Sequence, residues 1–155
     1  VLSKLDNLKS QLILKSIEYH NKPALPKNET ERCLFYTKLI RDADKLDIWR
    51  VVINEYTSQS TNQTVNLGLA NKPEVSKEVF HQVMNENIVN YKDLNTLTDF
   101  KLLQMGWVYQ INFQNSFEII ADKKYIDRLF ATMPDTKQTK TVYSKIKTYL
   151  QQKIN

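Results

Sequence analysis

Three carboxylates, Asp42, Asp44 and Asp47, fall within six residues in the run Leu39-Ile40-Arg41-Asp42-Ala43-Asp44-Lys45-Leu46-Asp47-Ile48-Trp49-Arg50-Val51-Val52. A carboxylate set among large apolar side chains needs a cation, a hydrogen-bond donor or a metal if it is to be buried. At helical spacing Ile40, Asp44, Asp47 and Val51 share one stripe, while Phe35, Leu39, Asp42, Leu46, Trp49 and Ile53 form another. Two apolar stripes predict a helix covered on most sides, with at least one Asp facing other helices. The plainer account is that Arg41, Lys45 and Arg50 form ordinary surface ion pairs with these acids, each worth about 0.3–0.5 kcal/mol. His20 extends the Ile13–Ile17 stripe at the end of the preceding helix. A histidine there is a ligand, a satisfied core residue or a C-terminal cap. The other histidine, His81, lies with Lys77 and Asn85 on a polar face and is expected at the surface.

The phrase Ile40-Arg41-Asp42-Ala43-Asp44-Lys45-Leu46-Asp47 resembles the last metal-binding motif of the HD-domain phosphohydrolases, an Ala-Asp, a Lys or Arg, then Leu-Asp. Upstream, Tyr19-His20-Asn21-Lys22-Pro23-Ala24-Leu25-Pro26 is similar to the family element in which a His precedes a loop ending in Pro. The resemblance is concentrated in residues 13–56. From Ser76 onward the chain also looks like the helical tail of bacterial HD proteins, with Gln110 where related chains carry Asp. It implies an all-α, HD-domain-like bundle: the back half of the HD core plus a C-terminal helical extension. It further implies a metal-dependent phosphohydrolase acting on a phosphomonoester or phosphodiester, a nucleotide by class.

Carried over by motif position, Asp44 matches the final metal-ligating Asp and His20 the substrate-side histidine, together the expected catalytic pair. Asp47 and Asp42 would support the ligand set from outside, with Asp42 the alternative ligand. Arg41, Lys45 and Asn21 would meet substrate phosphate. The implied cofactor is a divalent metal (Mn, Fe, Co, Zn or Mg) that polarises a phosphoryl oxygen and lowers the pKa of bound water. One departure limits this. The chain has two histidines and no His-Asp dipeptide, so the family's first His and its His-Asp pair would lie before residue 1. Two candidate ligands cannot close a site that needs three protein ligands plus water. The chain, which starts at Val rather than Met, is therefore expected to be the back part of a longer enzyme, not competent alone, and completed by an upstream segment. The alternatives are a degenerate, metal-free relative and a non-catalytic helical interaction or regulatory module.

Composition agrees with helices. With 155 residues, 41% hydrophobic, 2 Gly and 4 Pro, one core with few tight turns is expected. The expected organisation is a single helical domain over 1–155: a partial HD core (1–56), a polar loop (57–75) and C-terminal helices (76–155). The single cysteine, Cys33, excludes an internal disulfide and suits a reducing, cytoplasmic setting and a core position. No stretch reads as a membrane span or secretory signal. The net charge of +5 favours an anionic partner, a phosphorylated small molecule or nucleotide. The late lysines Lys137, Lys140, Lys145, Lys147 and Lys153 read as a solvated face, and nucleic acid is not expected. Apolar stripes over 5–17 and 35–53 would lack a cover without front helices, which makes a homo-oligomer possible.

The positioning elements follow from periodicity and caps. A helix is predicted over 4–20, ended by Pro23 and Pro26. Asn28 and Glu31 form a capping-box pattern for a helix running to Tyr56, on the order of 40 Å long. Residues 57–74 read as a mobile surface loop. Ser76 can cap a helix through Met84. A buried helix is predicted from Thr96 to Phe113, with Gly106 admitting a close neighbour. Two more follow over 116–132 and 137–154, the last with Val142, Ile146, Tyr149 and Leu150 inward. Strand-like alternation is brief, at Ile88–Tyr91.

Overall fold

The computed structural model describes residues 4–58 and 67–155. Among these the fold is all-α, with helices α1 (Asn7–Tyr19), α2 (Glu31–Thr57), α3 (Lys77–Met84), α4 (Leu97–Gly106), α5 (Gln114–Asp122), α6 (Tyr125–Phe130) and α7 (Lys137–Ile154). No described helix is long and apolar enough to cross a membrane.

The 27 residues of α2 make a rod of about 40 Å that belongs to two environments. Its C-terminal half enters the core, where Trp49 and Ile53 pack with Leu102, Met105, Ile120, Ile126, Leu129, Ile146 and Leu150. Its N-terminal half pairs with α1, and only Ser16 of α1 is buried. The buried stripe of α2 is Cys33, Thr37, Arg41, Asp42, Lys45, Trp49, Val52 and Ile53. The two apolar stripes expected from the sequence are therefore corrected. Phe35, Leu39 and Val51 are exposed, and the inward face turns polar where the core ends and the α1 layer begins.

Helix ends explain further differences. The N-cap of α2 is Thr30, whose hydroxyl accepts the Cys33 amide at 3.2 Å. The Asn28–Glu31 pattern is thus displaced, because Thr30 offers the same short oxygen two residues later. The helix expected over Thr96–Phe113 stops at Gly106 and continues as a 3-10 turn, Trp107–Gln110. The helix expected over 116–132 breaks at Lys124, which is left-handed (φ 52°) and starts α6 on a new axis. The 57–74 loop divides. Residues 59–66 lie outside the described residues, whereas the part after Leu69 is stitched to α4: Ala70 bridges Thr96, Thr98 Oγ1 donates to the Lys72 carbonyl at 2.6 Å, and Thr96 Oγ1 donates to the Glu74 carbonyl at 2.9 Å. Residues 88–91 form no strand; Tyr91 opens a short 3-10 turn.

Every residue of α4 is buried, as its all-round apolar pattern predicts. Its polar members are all engaged. Asp99 accepts Ser76 N (2.8 Å), Ser76 Oγ (2.7 Å), Asn95 N (3.0 Å) and Thr96 N (3.2 Å), so one carboxylate ties the start of α3 to the start of α4. Ser76 sits at the N-cap of α3, but its hydroxyl serves Asp99 rather than that helix. Lys101 Nζ donates to the Thr132 carbonyl at 2.7 Å and lies 4.4 Å from the Tyr56 ring centre. A Cβ on Gly106 would meet Val83 Cγ2 at 3.6 Å, an ordinary contact, so the approach of α3 does not depend on a glycine there. α7 closes the bundle with Thr139, Val142, Ile146 and Leu150 inward. Four of its five lysines meet an acid or a ring: Lys140 with Asp135, Lys145 with Glu86, Lys147 with Asp127, and Lys153 over Tyr149.

Candidate functional site

A cleft of about 550 Å³ opens where the end of α1, the middle of α2, the 88–91 segment and the end of α4 meet. Its lining includes His20, Asn21, Lys22, Pro23, Arg41, Asp44, Lys45, Ile48, Ile88, Tyr91, Leu103, Trp107 and Gln110. Five of the residues expected from the sequence to do chemistry, His20, Asn21, Arg41, Asp44 and Lys45, therefore share one cavity.

Each has a distinct situation. Arg41 is buried, and its Nη1 donates to the carbonyls of His20 (3.1 Å) and Lys22 (2.6 Å), with Tyr19 O at 3.5 Å. The guanidinium supplies donors and positive charge to these carbonyls where α1 ends, beside the Lys22 amide that donates to Tyr19 O at 3.2 Å. Its Nη1 is committed to holding the cleft wall. His20 is the C-cap of α1, and its Nδ1 meets the Ile17 carbonyl. That leaves Nε2 as its uncommitted ring nitrogen. Asp44 is half-buried on the cleft side of α2.

Lys45 is the unusual member. It is 7% exposed, lines the cleft, and has no hydrogen-bond or ion-pair partner among the described residues. Burial first, then the neighbouring Arg41, lowers its pKa to about 8. An ammonium held this way is costly unless an anion is supplied. Burial also lowers Lys101 to about 8.

The pH consequence has a definite sign. In the unfolded chain a lysine keeps its proton to about pH 10.4, whereas folded Lys45 releases it near pH 8. Between these values the unfolded state binds more protons, so stability rises with pH; below about pH 8 the full cost is present. Tyr56 and Tyr143, raised to about 12 by burial and by the Asp127 hydrogen bond respectively, reverse the slope above their ordinary value. Urea unfolding should show stability increasing from about pH 8 to 10 and falling beyond. Lys45→Met should remove about half of the rise and stabilise the ligand-free protein at neutral pH, by up to about 3 kcal/mol.

Two residues expected to support the site lie elsewhere. Asp47 is 63% exposed and pairs with Arg50 at 2.7 Å on the outer face of α2, the plain ion pair weighed from the sequence. Asp42 is 1% exposed and faces away from the cleft lining. Its carboxylate accepts Asn112 N (3.0 and 3.1 Å), Asn112 Nδ2 (2.8 Å) and Phe113 N (3.0 Å). It satisfies the chain just before α5, and its burial is explained by donors rather than by a metal. His81 is exposed and Cys33 is buried, as expected.

The 88–91 wall and Trp107 were not identified from the sequence as cleft residues. The only local signal there was a short apolar alternation at Ile88–Tyr91, and nothing in it points to a ligand. Gln110 lines the cleft with no side-chain partner among the described residues. Searches against family models, curated proteins and solved structures find no match to this chain. Among the described residues no three His, Cys, Asp or Glu side chains gather as a metal site. The donor set on the cleft is His20 and Asp44, one short of the three protein ligands a catalytic metal needs. These residues alone do not fit the implied metal.

Proposed function

We propose that the cleft binds a phosphorylated small molecule, a nucleotide by class, and forms the substrate side of the HD-type phosphohydrolase site that the Asp44 motif implies. The observation that carries this is Lys45, a nearly buried ammonium without a protein acceptor on the wall of a ligand-sized cavity. A phosphate oxygen would accept a charge-assisted hydrogen bond from Nζ in surroundings of low dielectric, where such bonds are strongest. Lys22 adds positive charge at the rim, and Ile48, Leu103 and Trp107 offer an apolar wall, the usual mixture of a small-molecule site. Hydrolysis would require metal ligands beyond the His20–Asp44 pair.

The test is calorimetric binding of adenosine monophosphate and of inorganic phosphate. Lys45→Met should weaken both at least ten-fold, on the scale of about 1.5–3 kcal/mol for a hydrogen bond to a charged group. Equal binding by the wild-type and substituted proteins rejects the proposal. A second reading, a non-catalytic interaction module, is favoured by the apolar residues left exposed on α1 and α2: Leu8 (81%), Leu14, Ile17, Phe35 and Leu39. That reading predicts no phosphate binding dependent on Lys45.

A further inference from the structure

The segment from Trp107 to Phe113 runs along α2 in the opposite direction and is pinned to it at both ends. The Trp107 ring lies 6.2 Å from that of Trp49, and the amides of Asn112 and Phe113 each donate to the Asp42 carboxylate at 3.0 Å. Gln110 falls between the pins. Its carbonyl accepts Asn112 Nδ2 at 3.0 Å, and the same nitrogen donates to Asp42 at 2.8 Å. The backbone of Gln110 is thereby anchored to α2, whereas its side chain lines the cleft, half-buried and without a hydrogen-bond partner among the described residues.

Helical geometry says which cleft residue of α2 leans toward it. At about 100° per residue, Lys45 points about 60° from Asp42 and about 40° from Trp49, whereas Arg41, Asp44 and Ile48 each lie about 100° or more from at least one of the two. Lys45 is also 7% exposed and unpartnered on the wall of the same cavity. Resting on the phosphate-binding reading above, we infer that Gln110 is a second phosphate-binding residue, its carboxamide N–H donating to an oxygen of the same phosphate that Lys45 Nζ holds. A carboxamide offers two N–H donors without adding charge. With its backbone already fixed, little ordering remains to be done when the ligand arrives. The phosphate in turn satisfies a half-buried amide that the fold leaves unpaired.

Calorimetric titration of inorganic phosphate and of adenosine monophosphate into the full chain tests this. Gln110→Leu removes the donor and should weaken both ligands about ten-fold, the effect of one hydrogen bond to a charged group. Gln110→Glu keeps the shape but sets a negative charge against the phosphate, so the loss should reach about a hundred-fold. Urea midpoints of both variants should not fall, because the side chain has no protein partner to lose. In the Lys45→Met background, Gln110→Leu should cost several-fold less than in the wild type, because two groups on one phosphate are coupled. Losses within about two-fold for both Gln110 variants, or equal Gln110→Leu losses in the two backgrounds, overturn the shared phosphate and leave the role of Lys45 standing. Failure of the wild-type protein to bind either ligand overturns both.

Discussion

Asp42→Ala is expected to cost about 3–5 kcal/mol, the range for stranding buried groups that had a charged partner. Truncation leaves Asn112 N, Phe113 N and Asn112 Nδ2 without their acceptor, next to a carboxylate-sized void. Nothing nearby replaces it, because these amides precede the first turn of α5 and have no helical acceptor of their own. Asp42→Asn keeps the shape and one oxygen, and should cost less than half as much. Urea midpoints at constant slope would measure both, with little dependence on salt because the site is closed to solvent. A loss below about 1 kcal/mol for the alanine variant would show that the 112–113 turn is held by its packing, including the edge-on Phe35–Phe113 contact at 5.5 Å, rather than by the acid.

Trp49→Ala is the second large effect, with an expected loss of about 3–5 kcal/mol. The indole is fully buried, 6.2 Å from Trp107 and 6.1 Å from Tyr125 between ring centres, and its Nε1 donates to the Gln104 carbonyl at 3.0 Å. Trp49→Phe separates the contributions: it retains much of the volume and loses the bond, for an expected 1–3 kcal/mol. Trp49 also touches Trp107, which lines the cleft. The alanine variant should therefore lose phosphate binding along with stability, measurable by calorimetry below the unfolding transition.

What could be read from the sequence divides along the length of α2. Helix type and approximate extent were legible wherever apolar spacing was regular, as with the Val142–Ile146–Leu150 stripe of α7. The all-round burial of α4 followed from its composition. Facing was not legible on α2, because Phe35 and Leu39 look like core residues by type yet lie outside the region that the later helices enclose. The break at Lys124 carried no Gly or Pro to announce it. At the site, motif position brought His20, Arg41, Asp44 and Lys45 to the same cavity. It could not separate Asp42 from Asp44, since two residues along a helix face different neighbours, and the neighbour of Asp42 comes from residues 112–113, seventy positions away. Arg41 was legible as a cation and not as a clamp, because the carbonyls it meets exist only once α1 has ended at Tyr19.

The attachment of α1 has a consequence for the cleft as a whole. None of its side chains joins the buried apolar cluster. It is held by Arg41 through the carbonyls at its end and by Lys15 and Tyr19 through Glu29 (2.7 and 3.0 Å). The floor, in contrast, is formed by Leu103, which belongs to the buried cluster, and Trp107, which packs against it. The cavity thus joins a half inside the buried cluster to an N-terminal layer packed on α2 outside it, and amide hydrogen exchange is expected to be faster in α1 than in α4. A ligand that bridges the two is expected to slow exchange in α1, so occupancy and the order of the N-terminal layer rise together.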